Sequence, residues 1–78
     1  MTYYKVTHKY KLSGHYERKY IGIYSCEANA DEAIAILKNK DGFKDTFYGF
    51  KTKKVFKIFK PKLLDRTFWV DGFLTYTY

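Results

Sequence analysis

In the first ten residues the side chains alternate, with Tyr4, Val6 and Tyr10 on one side of an extended chain and Lys5, Thr7 and Lys9 on the other. Period-two alternation among β-formers predicts a half-buried strand over Tyr3–Tyr10. Lys11–Tyr16 holds a turn around Ser13-Gly14. Glu17–Tyr24 then reads as a second strand, with Ile21 and Ile23 on one face and Tyr20, Gly22 and Tyr24 on the other. Here the period changes. Ala30, Ala33, Ile34 and Leu37 recur at i, i+3, i+4 and i+7, which predicts one buried helical face. Ser25, or the pair Asn29 and Glu32, offers an N-terminal cap, and Asn39 to Gly42 supplies the stop. Asp31 and Glu32 near the start and Lys38 and Lys40 near the end complement the helix dipole.

From Phe47 to Phe59 the alternation returns. Phe50, Thr52, Lys54, Phe56 and Ile58 oppose Lys51, Lys53, Val55, Lys57 and Phe59, until Pro61, which cannot donate to a ladder, ends the run. Phe68–Tyr78 is strand-like again around an Asp71-Gly72 turn signal. The order predicts an α+β fold: a ββαβ(β) antiparallel sheet with one amphipathic helix packed on one face. One helix covers only one face, so the other face is expected to be open, wholly or in part.

The chain has 78 residues, 46% of them hydrophobic, which fits a single small domain with its own core over residues 1–78. Its longest runs without a charge, Tyr20–Cys26 and Gly72–Tyr78, fall far short of the roughly 20 apolar residues of a membrane-spanning helix. Lys5, Lys9, Lys11, Arg18 and Lys19 leave no room for the apolar core of a signal peptide. Cys26 is the single cysteine, so no internal disulfide forms, and a cytoplasmic setting in a bacterium or an infected host cell is expected. A core this small, without staples, also makes a homodimer a natural expectation.

Charge changes the picture most. Fifteen basic against eight acidic residues give a formal charge of +7, and the excess is concentrated. Lys51, Lys53, Lys54, Lys57, Lys60 and Lys62 lie in twelve residues without an acid, while the rest of the chain carries nine basic against eight acidic groups. Lysines alternating on a strand stand about 7 Å apart, close to the spacing of phosphates along a nucleic-acid backbone. Phe59 adds an aromatic on that side. Lys5 and Lys9 of the first strand, and Arg18, Tyr20 and Tyr24 of the second, are candidates to extend the surface, with tyrosines available to stack bases. Lysines also solubilise exposed strand edges, which is the plainer account of the same run. An anionic partner, either nucleic acid or a nucleotide signal, is the stronger expectation, because twelve residues without an acid exceed what edge protection needs.

Four stretches have a familiar order and spacing: Tyr20-Ile21-Gly22-Ile23-Tyr24-Ser25, Asp31-Glu32-Ala33-Ile34, Gly42-Phe43-Lys44-Asp45 and Trp69-Val70-Asp71-Gly72-Phe73. Together they resemble a family of short, uncharacterised bacterial and phage proteins, a domain of unknown function. The resemblance covers about two thirds of the chain and implies a small ββαβ-type fold, with no activity or catalytic residues attached. Asp41 stands where that family's loop carries proline, and the third strand is Lys-rich where members tend to be acidic.

Other chemistry is sparse. Gly14, Gly22, Gly42, Gly49 and Gly72 are too scattered to cradle a phosphate, and no dinucleotide or P-loop motif is present. Cys26 sits at the helix start, where a dipole favours thiolate, but neither His8 nor His15 is spaced to activate it. His8 is expected on the face of Tyr4 and Val6, and His15 in the hairpin turn. One cysteine and two histidines make no zinc site, and no pair of acids is spaced for joint acid–base work. No cofactor or metal is expected. Trp69 and Phe73 beside the Asp71-Gly72 turn, with Tyr76 and Tyr78 behind them, are the candidates for a protein contact, with a place over the core the stronger expectation for Trp69. The sequence therefore predicts a non-enzymatic binding protein that acts by occupancy on a phosphate-bearing partner; by analogy, a phage-type inhibitor of bacterial defence fits that description. The alternative is an interaction or immunity-type module docking on an acidic protein.

Overall fold

The computed structural model describes residues 2–58 and 61–77 and has the α+β architecture expected of the chain. Two long strands, β1 (Tyr3–Leu12) and β2 (His15–Tyr24), form a hairpin. Ser13 (φ 50°) and Gly14 (φ 85°) make its turn, both in the left-handed region that a two-residue hairpin connection requires. Helix α1 (Glu27–Leu37) follows, then a kinked 3-10 segment (Lys44–Gly49), β3 (Phe50–Val55), a 3-10 turn (Pro61–Leu63) and the two-residue β4 (Arg66–Thr67). The sheet is antiparallel in the order β3-β1-β2-β4, with β1 hydrogen-bonded on both sides.

The core lies between α1 and one face of this sheet. Val6, Ile21 and Tyr24 meet Ala30, Ala33 and Leu37 of the helix and Phe43 of the turn after it, with Tyr4, Ile34, Phe50 and Trp69 packed around them. The expected helical stripe is therefore the one that is buried. The strand pattern differs in one respect. Val6 pairs with Gly22 but Thr7 pairs with Tyr20, so Ile21 is an unpaired extra residue, a β-bulge. A bulge moves every later residue to the other face. Gly22 and Tyr24 face the helix with Val6 and Tyr4, whereas Tyr20 shares the opposite face with Ile23, and Ile21 joins the core. Gly22 answers a further need: a Cβ there would lie 2.5 Å from the Arg66 carbonyl oxygen, so a side chain would push β4 off the sheet.

Two other expectations are corrected. β3 starts at Phe50 and ends at Val55, because residues 44–49 coil into 3-10 turns and the alternating pattern runs on past the last residue that β1 can pair, Tyr3 opposite Val55. Phe68–Tyr78 forms no strand among its described residues: a single bridge joins Trp69 to Thr75, and the Asp71 carboxylate accepts the Phe73 and Leu74 N–H groups at 2.7 and 2.9 Å. A side chain that satisfies the turn's backbone replaces the ladder.

The chain entering α1 is held from a distance. Cys26 is the N-cap residue and makes no side-chain cap bond. Ser25 does not cap the helix itself. Its N–H and its hydroxyl both donate to the Asp65 carboxylate, at 2.8 Å each, and the Asn29 amide donates to the same group at 3.2 Å. Asp65 thus ties the segment before β4 to the first turn of the helix. The bond from the Ser25 N–H holds its carboxyl below the usual range, against the opposing effect of burial, with the Ser25 hydroxyl and Asn29 adding to the lowering. Asp65→Ala is expected to cost about 1 kcal/mol, the usual net worth of such hydrogen bonds, measurable by chemical denaturation, while Asp65→Asn retains part of it. An unchanged denaturation midpoint in Asp65→Ala would show that the tie carries no weight.

His8 is the buried polar side chain of the core. One ring nitrogen, Nε2, lies 2.8 Å from the Thr46 carbonyl and donates to it, which leaves Nδ1 bare and without a partner. The ring packs against Phe43, Phe50 and Tyr10 at centroid distances of 4.8, 4.6 and 5.6 Å. Burial pushes its pKa below the ordinary histidine value; the Thr46 bond works against that shift and the Lys19 charge adds to it. The unfolded chain therefore takes up the proton first as pH falls. Stability is full above about pH 6.5 and declines below it until the folded pKa is reached, where the loss levels off. Urea midpoints measured between pH 7 and pH 5 should fall in the wild type and in His15→Gln alike. A level profile would contradict the neutral, buried ring.

Candidate nucleic-acid interface

Cross-strand partners share a face, so the register shows where each cation points. Tyr4, Val6 and His8 face the helix, and Lys5, Thr7 and Lys9 face away from it. Lys53 lies opposite Lys5 and Lys51 opposite Thr7; on the other side Tyr20 pairs with Thr7 and Arg18 with Lys9. The face away from α1 therefore gathers Lys5, Lys9, Lys51, Lys53 and Arg18 from three strands. None of these strands contributes an acid to it. Glu17, the acid of β2, pairs with Tyr10 on the helix side, where it accepts the Tyr10 hydroxyl at 3.0 Å. Among the described residues, Lys5, Lys51, Lys53 and Arg18 have no carboxylate within ion-pair reach. Lys9 lies over the Tyr16 ring at 4.5 Å, which holds its ammonium close to the sheet.

The remaining candidates separate. Lys54 pairs with Tyr4 and so belongs to the helix side, exposed at the sheet edge that the helix does not cover. Lys57 lies beyond the end of β3, and Lys62 is exposed in the 3-10 turn. The described lysines of this run therefore do not form one row. Phe59, Lys60 and Tyr78 lie outside the described residues. Tyr24, expected on the open face, is buried at 3% exposure, with its hydroxyl 2.6 Å from the Thr67 hydroxyl; the bulge at Ile21 has turned it into the core. Trp69 packs against the core, its indole N–H donating to the Tyr20 carbonyl at 2.9 Å. Phe73 and Tyr76 are exposed.

One end of the open face is roofed. As the chain passes from β3 to β4, Ile58 and Leu63 come over Ile23 and Val55, and a cleft of about 430 Å³ remains between them. Its walls are apolar, with Lys5 and Lys57 among its lining residues. Tyr20 and Phe68 close another side, their rings stacked at 5.2 Å and 21°. Burial raises the Tyr20 phenol above its ordinary pKa, so the hydroxyl keeps its proton. The cleft escapes a reading of the sequence because unbroken alternation puts Ile23 on the face away from Tyr20; the one hint was Val55, an apolar residue on the otherwise basic face of β3.

Among the described residues no group of three or more histidine, cysteine or acidic side chains is placed to hold a metal ion. Cys26 is an exposed, free thiol, and His8 and His15 are elsewhere, in the core and at the start of β2. No helix of the described residues is long and apolar enough to cross a membrane. The four stretches that carry the resemblance map to the bulged end of β2, to the middle of α1, where Asp31 and Glu32 are exposed and Ala33 is buried, and to two loops that meet where Gly72 donates its N–H to the Asp41 carbonyl at 2.7 Å. Set against known proteins, the chain matches no family model, no curated protein and no solved structure.

Proposed function

We propose that this protein is a non-enzymatic binding module that engages a phosphate-bearing partner, a nucleic-acid strand, on the sheet face opposite α1. The observation that carries the proposal is the convergence of Lys5, Lys9, Lys51, Lys53 and Arg18 on one face to which β1, β2 and β3 bring no acid. A free nucleotide needs one or two cations. Five spread over three strands, with neighbours along a strand about 7 Å apart, suit a polymer whose charges repeat. Lys5 and Lys53 stand directly opposite each other, an arrangement that costs stability until an anion lies between them. Such a protein acts by occupying its partner, not by transforming it.

If the five cations each contact one phosphate of a single strand, the logarithm of the affinity should fall with the logarithm of salt at a slope of about −3.5. Lys51→Glu combined with Lys53→Glu is expected to abolish a gel shift at moderate salt and to bring any residual slope to about −2. Lys38→Glu, on the exposed end of α1, should leave binding nearly unchanged. Absence of a shift by the wild type at low salt would refute the proposal and turn attention to an acidic protein partner.

A further inference from the structure

The cations account for a phosphate chain, but not for the cleft at their end. Three of its features belong together. Its walls, from Ile23, Val55, Ile58 and Leu63, are apolar and offer a flat ring no hydrogen-bonding edge. The stacked pair of Tyr20 and Phe68 supplies an aromatic wall. Lys5 enters the lining from β1, and Lys53 stands opposite it on β3, so positive charge lies beside the apolar volume. An aromatic ring joined to a phosphate is the chemistry that uses all three.

Resting on the sheet-face reading above, we infer that the cleft receives one unpaired nucleobase of the bound strand while its adjoining phosphate lies at Lys5 and Lys53. The volume, about 430 Å³, lies within the range of small-ligand sites, roughly 300–1,000 Å³. A duplex keeps its bases stacked inside and cannot place one here, whereas a single strand can splay a base outward. Single strands are therefore the preferred form. Stacking on an aromatic and filling an apolar cleft depend little on which base is present, so sequence preference is weak. An amphipathic molecule such as a fatty acid would satisfy the cleft and one lysine. It would leave Lys9, Lys51 and Arg18, farther along the same face, without a role.

The test compares probes of equal phosphate number by fluorescence anisotropy at low salt: a short oligothymidylate, an abasic strand of the same length, a duplex, and thymidine monophosphate as competitor. The thymidylate strand should bind about ten-fold more tightly than the abasic strand. Val55→Phe, which fills the cleft, should remove that advantage and leave abasic binding as it was; Leu63→Trp serves in its place if Val55→Phe fails to give the wild-type circular dichroism. Equal binding of thymidylate and abasic strands by the wild type overturns the inference and leaves the sheet-face proposal standing. Duplex binding as tight as thymidylate overturns it too. If the monophosphate competes at the strand's own concentration, the cleft serves a free nucleotide and the inference as stated fails. No binding by any probe at low salt removes the sheet-face proposal itself, and the inference with it.

Discussion

The unpaired Ile21 in β2 is the constraint on which the rest of this structure depends. A strand with unbroken alternation would put Tyr20 and Tyr24 on the same face, as the sequence pattern predicts. The bulge separates them. Tyr24 turns under α1, where its hydroxyl meets Thr67, and Tyr20 turns outward against Phe68. One extra residue thus supplies a large side chain to a thin core and an aromatic wall to the open face. It also sets up the last strand: Gly22, next to the bulge, is where β4 comes close enough to pair, and the Ile21 and Ile23 carbonyls on either side accept the Phe68 and Asp65 N–H groups at 2.8 Å. The roof of the cleft and the tie from Asp65 to the helix both follow from that docking.

The same geometry separates the charges. Four of the eight acids serve local structural tasks: Asp65 beside the helix start, Glu17 on the Tyr10 hydroxyl, Asp41 on Lys44 at 3.2 Å, and Asp71 on its own turn. Lys19 is drawn to the helix side, where it donates to the Tyr10 hydroxyl and lies 4.3 Å from that ring and 5.5 Å from Trp69. What remains on the open face is cationic and unneutralised by β1, β2 or β3. A net charge of +7 is a property of the composition; the one-sided field is a property of the pleat, which sends Lys5, Lys9 and Arg18 to the side of Lys51 and Lys53.

The hairpin, the helix and its buried stripe were legible in the sequence because each rests on a local period. The turn at Ser13-Gly14 and the face of Ala30, Ala33 and Leu37 needed no knowledge of distant residues. The bulge did not show, since alternation is blind to an inserted residue; only Gly22 marked the place. The end of β3 was overrun for a related reason. Phe56 and Ile58 continue the alternation, but a strand lasts only as long as its partner, and β1 offers nothing beyond Tyr3 among its paired residues. The role of Ser25 was misread because its partner, Asp65, is far from it in sequence and adjacent only in the fold, while Cys26 takes the N-cap position without a side-chain bond. Of the cationic face, the contributions of Lys5, Lys9 and Arg18 were foreseen, whereas the division of Lys54 from Lys51 and Lys53 follows from the register.

Register also bears on the two accounts of the lysines. Edge protection explains Lys51, Lys53 and Lys54 well: β3 is the outer strand, and a second copy laid against its free edge would set lysine against lysine. That argument makes pairing of two copies through this edge unfavourable. It does not extend to Lys5. β1 is paired to β2 and β3 along the stretch that holds Lys5, so there is no edge there to protect. A lysine on an interior strand, facing another lysine with no acid on their face, raises the energy of the isolated fold. Solubility alone would be served as well by moving that charge to α1 or a loop, where it would meet no like charge. The placement makes physical sense when an anion spends time across both side chains, because the repulsion that weakens the free protein then becomes attraction in the complex.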